Sequence, residues 1–113
     1  MSLPFSPARI SGNFVFLSGQ IGLKDGKLVS DDIQEQTIQA IENASVILKD
    51  NDLSLGDVID VTAFLINQED YGAFNEAYMK SFSDPFPTRT AVTVKSLPLG
   101  AKVEIKIIAR MGK

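Results

Sequence analysis

The chain contains no histidine and no cysteine among its 113 residues. Those two absences exclude disulfides, thiol nucleophiles, every Ser-His or Cys-His catalytic arrangement and the zinc sites built from Cys and His. Proton transfer is left to Asp, Glu, Lys, Tyr or water. A carboxylate-only site for a hard metal would need clustered acidic residues, and no Asp-x-Asp-x-Asp-Gly spacing or similar occurs, so no metal and no cofactor are expected. The sequence also lacks an apolar run near the roughly 20 residues of a membrane span, and Met1-Ser2-Leu3-Pro4 has neither the charged start nor the apolar core of a signal peptide. A cytoplasmic protein with no membrane partner is the expectation. A concentrated basic face is missing too: the net charge is -3, the sequence pI is near 4.8, and the 11 Lys and Arg residues are scattered. Phosphate backbones need such a face, so no nucleic-acid partner is expected.

What remains is the composition of an ordinary globule, 44% hydrophobic and 22% charged, in one domain spanning 1–113, long enough to bury a core without staples. Residues 8–11 and 14–17 flank Gly12-Asn13, a two-residue hairpin turn with glycine at a position needing positive φ. Asp25-Gly26 marks a smaller turn within 23–28. Asp31, with Gln34 three residues on, predicts a helix start, after which Ile33, Thr37, Ala40, Ile41, Ala44 and Leu48 form one apolar stripe. Lys49 and Asn51 close that helix, Asn51 as a left-handed cap. Residues 59–66 are apolar or β-branched on both faces after Asp60, as a central strand covered on two sides should be. Helices would cover one side; the chain offers only two, so a subunit interface is the natural cover for the other. Asn67 then opens a second helix, whose Tyr71, Phe74, Tyr78 and Phe82 belong to the core. The order is β-β-β-α-β-α-β-β, an α+β mixed sheet with two helices on one face.

The chemistry concentrates near the C-terminus. Residues 88–94 and 102–111 read as strands joined across Pro98 and Gly100, most simply as an antiparallel hairpin. A fold-back near Ser96 and Leu97 would put Arg89 about opposite Glu104, pairing a cation with a carboxylate. That pair is either an anion site with a base beside it or a solvated ion pair contributing about 0 to 1 kcal/mol. Ser18-Gly19-Gln20, at the end of the second strand, is either a close-approach point for a ligand or a β-bulge.

Pro87-Thr88-Arg89-Thr90-Ala91-Val92 and Leu97-Pro98-Leu99-Gly100-Ala101-Lys102-Val103-Glu104-Ile105 resemble the C-terminal signature of the Rid family, the reactive intermediate deaminases also called the YjgF family. Pro4-Phe5-Ser6-Pro7-Ala8 and the stretch from Gly12 to Ile21 are similar to the family's opening. Leu55-Gly56-Asp57-Val58 and Phe74-Asn75-Glu76-Ala77-Tyr78 follow in the family's order. The resemblance implies a chorismate-mutase-like fold assembled as a homotrimer, with sites in the clefts between subunits. It also implies hydrolysis of enamines and imines such as 2-aminoacrylate and 2-iminobutyrate to 2-keto acids and ammonia.

By the same resemblance Arg89 grips the substrate carboxylate, for which a guanidinium is the best two-point partner. Glu104 holds the attacking water; a glutamate carboxylate is a weak base at neutral pH, so its role is chiefly that of a positioning acceptor. The Ser18-Gly19 backbone and the backbone of Ala91 complete the substrate contacts. Asn75 is either a further cleft residue or a plain exposed helix asparagine. Two departures stand out: Phe5 where many members have Tyr, and Ala91 where many have Cys. A competing reading is a trimeric protein that binds a 2-keto acid with little turnover; RNA cleavage is a distant third, lacking a histidine acid and base.

Overall fold

The computed structural model describes residues 3–112. Among them the chain forms seven strands and two α-helices: β1 (Ala8–Ser11), β2 (Phe14–Leu17), β3 (Leu23–Lys24), β4 (Lys27–Leu28), α1 (Ile33–Asp50), β5 (Val58–Leu65), α2 (Tyr71–Ser81), β6 (Thr88–Thr93) and β7 (Val103–Arg110). Five strands make one mixed sheet in the order β1-β2-β7-β5-β6, and β3 and β4 pair separately. The α+β architecture read from the sequence is therefore present, with the 23–28 segment forming two short strands. Gly12 has φ +59 in the β1–β2 turn, as expected.

The apolar stripe of α1 is buried through Ile33, Thr37, Ala40, Ile41, Ala44 and Leu48. It packs with Phe74, Tyr78 and Phe82 against Val61, Ala63, Leu65, Val103, Ile105 and Ile107 in a single core. Strand periodicity puts those sheet residues on one face. The other face carries Phe14, Phe16 and Val92, each close to 40% exposed, along with half-buried Phe64 and Ile108. Within one chain, then, the central strand is covered on one side only.

Three local expectations are corrected. First, β6 and β7 are not a hairpin. β6 pairs with β5 in parallel, β7 pairs with β5 antiparallel, and β5 lies between them. The crossover through α2 enforces the parallel pairing. The link 94–102, with a 3₁₀ turn at Pro98–Gly100, is too long for a tight hairpin and passes over the end of β5. Such a placement gives β5 a neighbour on each edge. Second, the N-cap of α1 is Asp32, not Asp31: its carboxylate accepts from Glu35 N at 2.9 Å, an interaction contributing about 1 kcal/mol. Gln34 instead donates to Ala73 O at 3.0 Å, tying α1 to α2. Third, Asn51 is not left-handed (φ -111); the left-handed residue is Asp52 at φ +61, and Asn51 donates to Ile47 O at 2.9 Å.

Two buried or half-buried amides on α1 fix the loops that lead to the site. Gln36 donates to Ser30 O at 2.8 Å and accepts from Lys102 N at 2.9 Å, setting the start of β7. Asn43 donates to Ile21 O at 3.1 Å and Leu23 O at 2.9 Å, holding the segment that follows Gly19.

Candidate active site

The residues singled out from the sequence form two groups. The first is built on the β6 edge and α2. Arg89 Nη1 donates to Asn75 Oδ1 at 2.8 Å, and the guanidinium lies 5.4 Å from the Phe74 ring centroid and 5.0 Å from that of Tyr78. Each cation–π contact contributes about 0.5 to 1 kcal/mol at a partly exposed position. Their greater consequence is geometric, since two rings and an amide hold a long side chain in one orientation. Arg89 remains exposed and borders a cavity of about 340 Å³ with Asn75, Met79 and Phe86. Ala91 follows on the same face of β6, half-buried, beside Tyr71 and Thr93. Asn75 is thus no plain exposed helix residue.

The aromatic stripe of α2 was legible only as core. Phe74 and Tyr78 are core, fully buried and 4% exposed respectively, yet they also floor the arginine. Tyr78 additionally stacks on Phe82 at 4.6 Å between centroids. Its hydroxyl is buried without a partner among the described residues. Burial pushes the Tyr78 pKa up, with Arg89 acting against that and Asp60 adding to it.

The second group surrounds Glu104. This half-buried carboxylate on β7 lies against Gly19, where a Cβ would overlap it and would sit 2.9 Å from Glu104 Cδ. Gly19 is therefore required by close approach, and the β2 ladder is interrupted there before Gln20 bridges Ile105. Ser18 Oγ donates to Ser6 O at 2.6 Å and Ser18 N to Pro7 O at 2.9 Å, drawing the N-terminal segment that carries Phe5 over this region. Ser18, Gly19, Phe5 and Glu104 share one cavity of about 600 Å³.

Arg89 and Glu104 are not brought together within the chain. Arg89 is opposite Val61 and Glu104 opposite Phe64 on β5. Standard strand spacings then put their Cα atoms roughly 14 Å apart, and the three-residue offset along β5 sends the side chains to opposite faces.

Comparison with known proteins agrees with the fold. Residues 1–111 match the family described as Endoribonuclease L-PSP. Over 110 residues the chain is 40% identical to Reactive Intermediate Deaminase A, chloroplastic, of Arabidopsis thaliana, covering 96% of this chain and 59% of that protein. It is 35% identical over 111 residues to the 2-iminobutanoate/2-iminopropanoate deaminase of Homo sapiens, covering 96% and 81%. The solved structure of RidA from an Antarctic Psychrobacter superimposes with a TM-score of 0.92 at 33% identity, covering 98% of this chain and 91% of that one. The chain belongs to this family, the Rid or YjgF family. No helix among the described residues is long and apolar enough to cross a membrane.

Proposed function

We propose that this protein is a hydrolytic deaminase of reactive 2-imino acids and their enamine tautomers, with 2-aminoacrylate and 2-iminobutyrate as the small reference substrates. It acts as a cytoplasmic homotrimer whose sites lie between copies. The observation that carries this reading is the division of the residues into an Arg89–Asn75 group on one face and a Glu104–Gly19 group on the other. A site containing both needs two copies. The open β6 edge and the apolar uncovered sheet face support such an assembly, because both are liabilities in a lone chain.

In the cleft, the Arg89 guanidinium, preset by Asn75 and the two rings, takes the substrate carboxylate through two parallel N–H donors. Backbone at Ala91 and Gly19 completes the contacts. Glu104 of the facing copy accepts a hydrogen bond from a water and aims its oxygen at the imine carbon. Addition gives a tetrahedral carbinolamine; the nitrogen gains a proton, the C–N bond breaks, and ammonia and the 2-keto acid leave. No protein nucleophile is needed because the imine carbon is already electrophilic, so positioning supplies most of the effect. RNA cleavage, which the family description names, gains no support from a chain with net charge -3 and no histidine.

The test is a coupled assay with freshly generated 2-iminobutyrate, reading ammonia release above the uncatalysed rate, with 2-ketobutyrate binding followed in parallel. Turnover is expected. Binding of the keto acid without turnover would replace the enzyme by a carboxylate-binding protein.

A further inference from the structure

We infer that the preferred substrates carry a branched or aromatic apolar side chain, which lodges in the cavity beside Glu104. This deepens the deaminase reading and rests on it. The cavity of about 600 Å³ lies well within the range of about 300 to 1,000 Å³ that houses drug-sized ligands. It far exceeds what a three- or four-carbon acid fills. Of its polar groups, Ser18, Gly19, Gln20 and Glu104 adjoin one another and Asn43 lies apart on α1 with its amide N–H groups donated to Ile21 O and Leu23 O, while much of the remaining wall is apolar: Phe5, Ile21, Leu23, Ile47, Pro98 and Leu99. A compact polar end suits the reacting carbon and its water. The apolar remainder, open to the facing copy, offers more surface than a methyl or ethyl group covers.

Two wall residues make the point more sharply. Phe5 is 58% exposed and Leu99 70% exposed, and scattered exposed apolar residues are ordinary. These two, however, converge on the same cavity from segments far apart in sequence. Leu99 also has φ +57, a left-handed conformation that Gly or Asn adopts with less strain than a branched side chain. Here a leucine that is 70% exposed in the single chain stands on a backbone that disfavours it, on the wall of the cavity that Glu104 also lines. Phe5 is held in place through the segment that Ser18 anchors by its bonds to Ser6 and Pro7.

The imines of leucine and phenylalanine, generated in place by an amino-acid oxidase, should be compared with those of alanine and 2-aminobutyrate on the intact assembly. Apolar pockets discriminate by about 10- to 200-fold per methylene-sized difference, so kcat/KM for the bulky imines should exceed that for the small ones by at least about tenfold. Leu99→Asn, which suits the left-handed backbone, should narrow that ratio to below about threefold. Binding of 4-methyl-2-oxopentanoate against 2-ketobutyrate gives a second readout independent of turnover. A ratio at or below one in the unmodified protein, or a ratio unmoved by Leu99→Asn, overturns the inference and leaves the deaminase reading standing. Preferential binding of the branched keto acid with no turnover of any imine supports the pocket and removes the deaminase. Failure of every imine and every keto acid removes both.

Discussion

Arg89 and Glu104 flank the same central strand, Arg89 opposite Val61 and Glu104 opposite Phe64, and point to opposite faces of the sheet. Val61 is buried in the core, whereas Phe64 lies on the uncovered face. The guanidinium is therefore braced by the helix layer and the carboxylate by the β2 end at Gly19. A ligand that meets both must do so between two copies.

Arg89→Lys should lower kcat/KM for a 2-imino acid by at least about tenfold. One ammonium cannot reproduce a planar two-point grip, nor rest on the Phe74 and Tyr78 rings in the same way. Steady-state kinetics on a variant with an unchanged thermal midpoint checks this; unaltered kinetics would take Arg89 out of the site.

Glu104→Gln keeps the shape and removes the charge. Turnover should fall by at least about tenfold, while a 2-keto acid still binds through Arg89, since a hydrogen bond to a carboxylate is roughly twice as strong as one to a neutral amide and the attacking water would be held less firmly. Calorimetry beside the kinetic assay separates the two effects. Intact turnover would assign the water to another group.

Gly19→Ala tests the close approach from the other side. The new methyl would overlap the Glu104 carboxylate and press on Cγ, 3.2 Å away, so the carboxylate must move. Activity should drop while the melting temperature shifts by only a few degrees, because Gly19 is exposed and lies beyond the end of β2. A fully active variant would show that the Glu104 position is not critical.

Assembly should persist at micromolar concentration in light scattering, with the mass of a trimer. Phe16→Asp, on the uncovered face where Phe16 is 40% exposed, should dissociate it, because a carboxylate buried in an apolar interface is strongly unfavourable. A monomeric parent protein would leave that face, and the cleft between copies, without support.

Tyr78→Phe removes a buried hydroxyl that lacks a partner among the described residues. Stability at neutral pH should be unchanged or higher by up to about 1 kcal/mol, since an unmet polar group is costly to bury. The pH dependence follows from the raised pKa. The folded state holds the neutral phenol while the unfolded chain ionises above about pH 10, so the parent protein loses stability as pH rises past that point, and the variant loses less. Denaturation curves at pH 8 and pH 10.5 read both effects. Marked destabilisation would mean that the hydroxyl has a partner in the assembly.

Much was legible in the chain because local physics and local pattern agree there. The 3.6-residue stripe from Ile33 to Leu48 could only be an amphipathic helix, and Gly12-Asn13 between the short runs 8–11 and 14–17 could only be a tight turn. The missing histidine and cysteine limited the chemistry before any fold was known. Caps were less legible: Asp31 and Asp32 are chemically equivalent, and only the position of Ser30, whose Oγ accepts from Asp32 N at 3.0 Å, and the start of the helix decide between them. The same limit hid the second role of Phe74 and Tyr78, since burial and cation–π support ask for the same residues. Strand order was beyond the sequence altogether. Residues 88–94 and 102–111 alternate well enough to pair with each other, but β5 lies between them, because the crossover through α2 carries β6 to the edge of β5 that β7 does not occupy. That tertiary choice, made by burial summed over the whole core, is what turned the expected Arg89–Glu104 pair into two separate groups on opposite faces of one sheet.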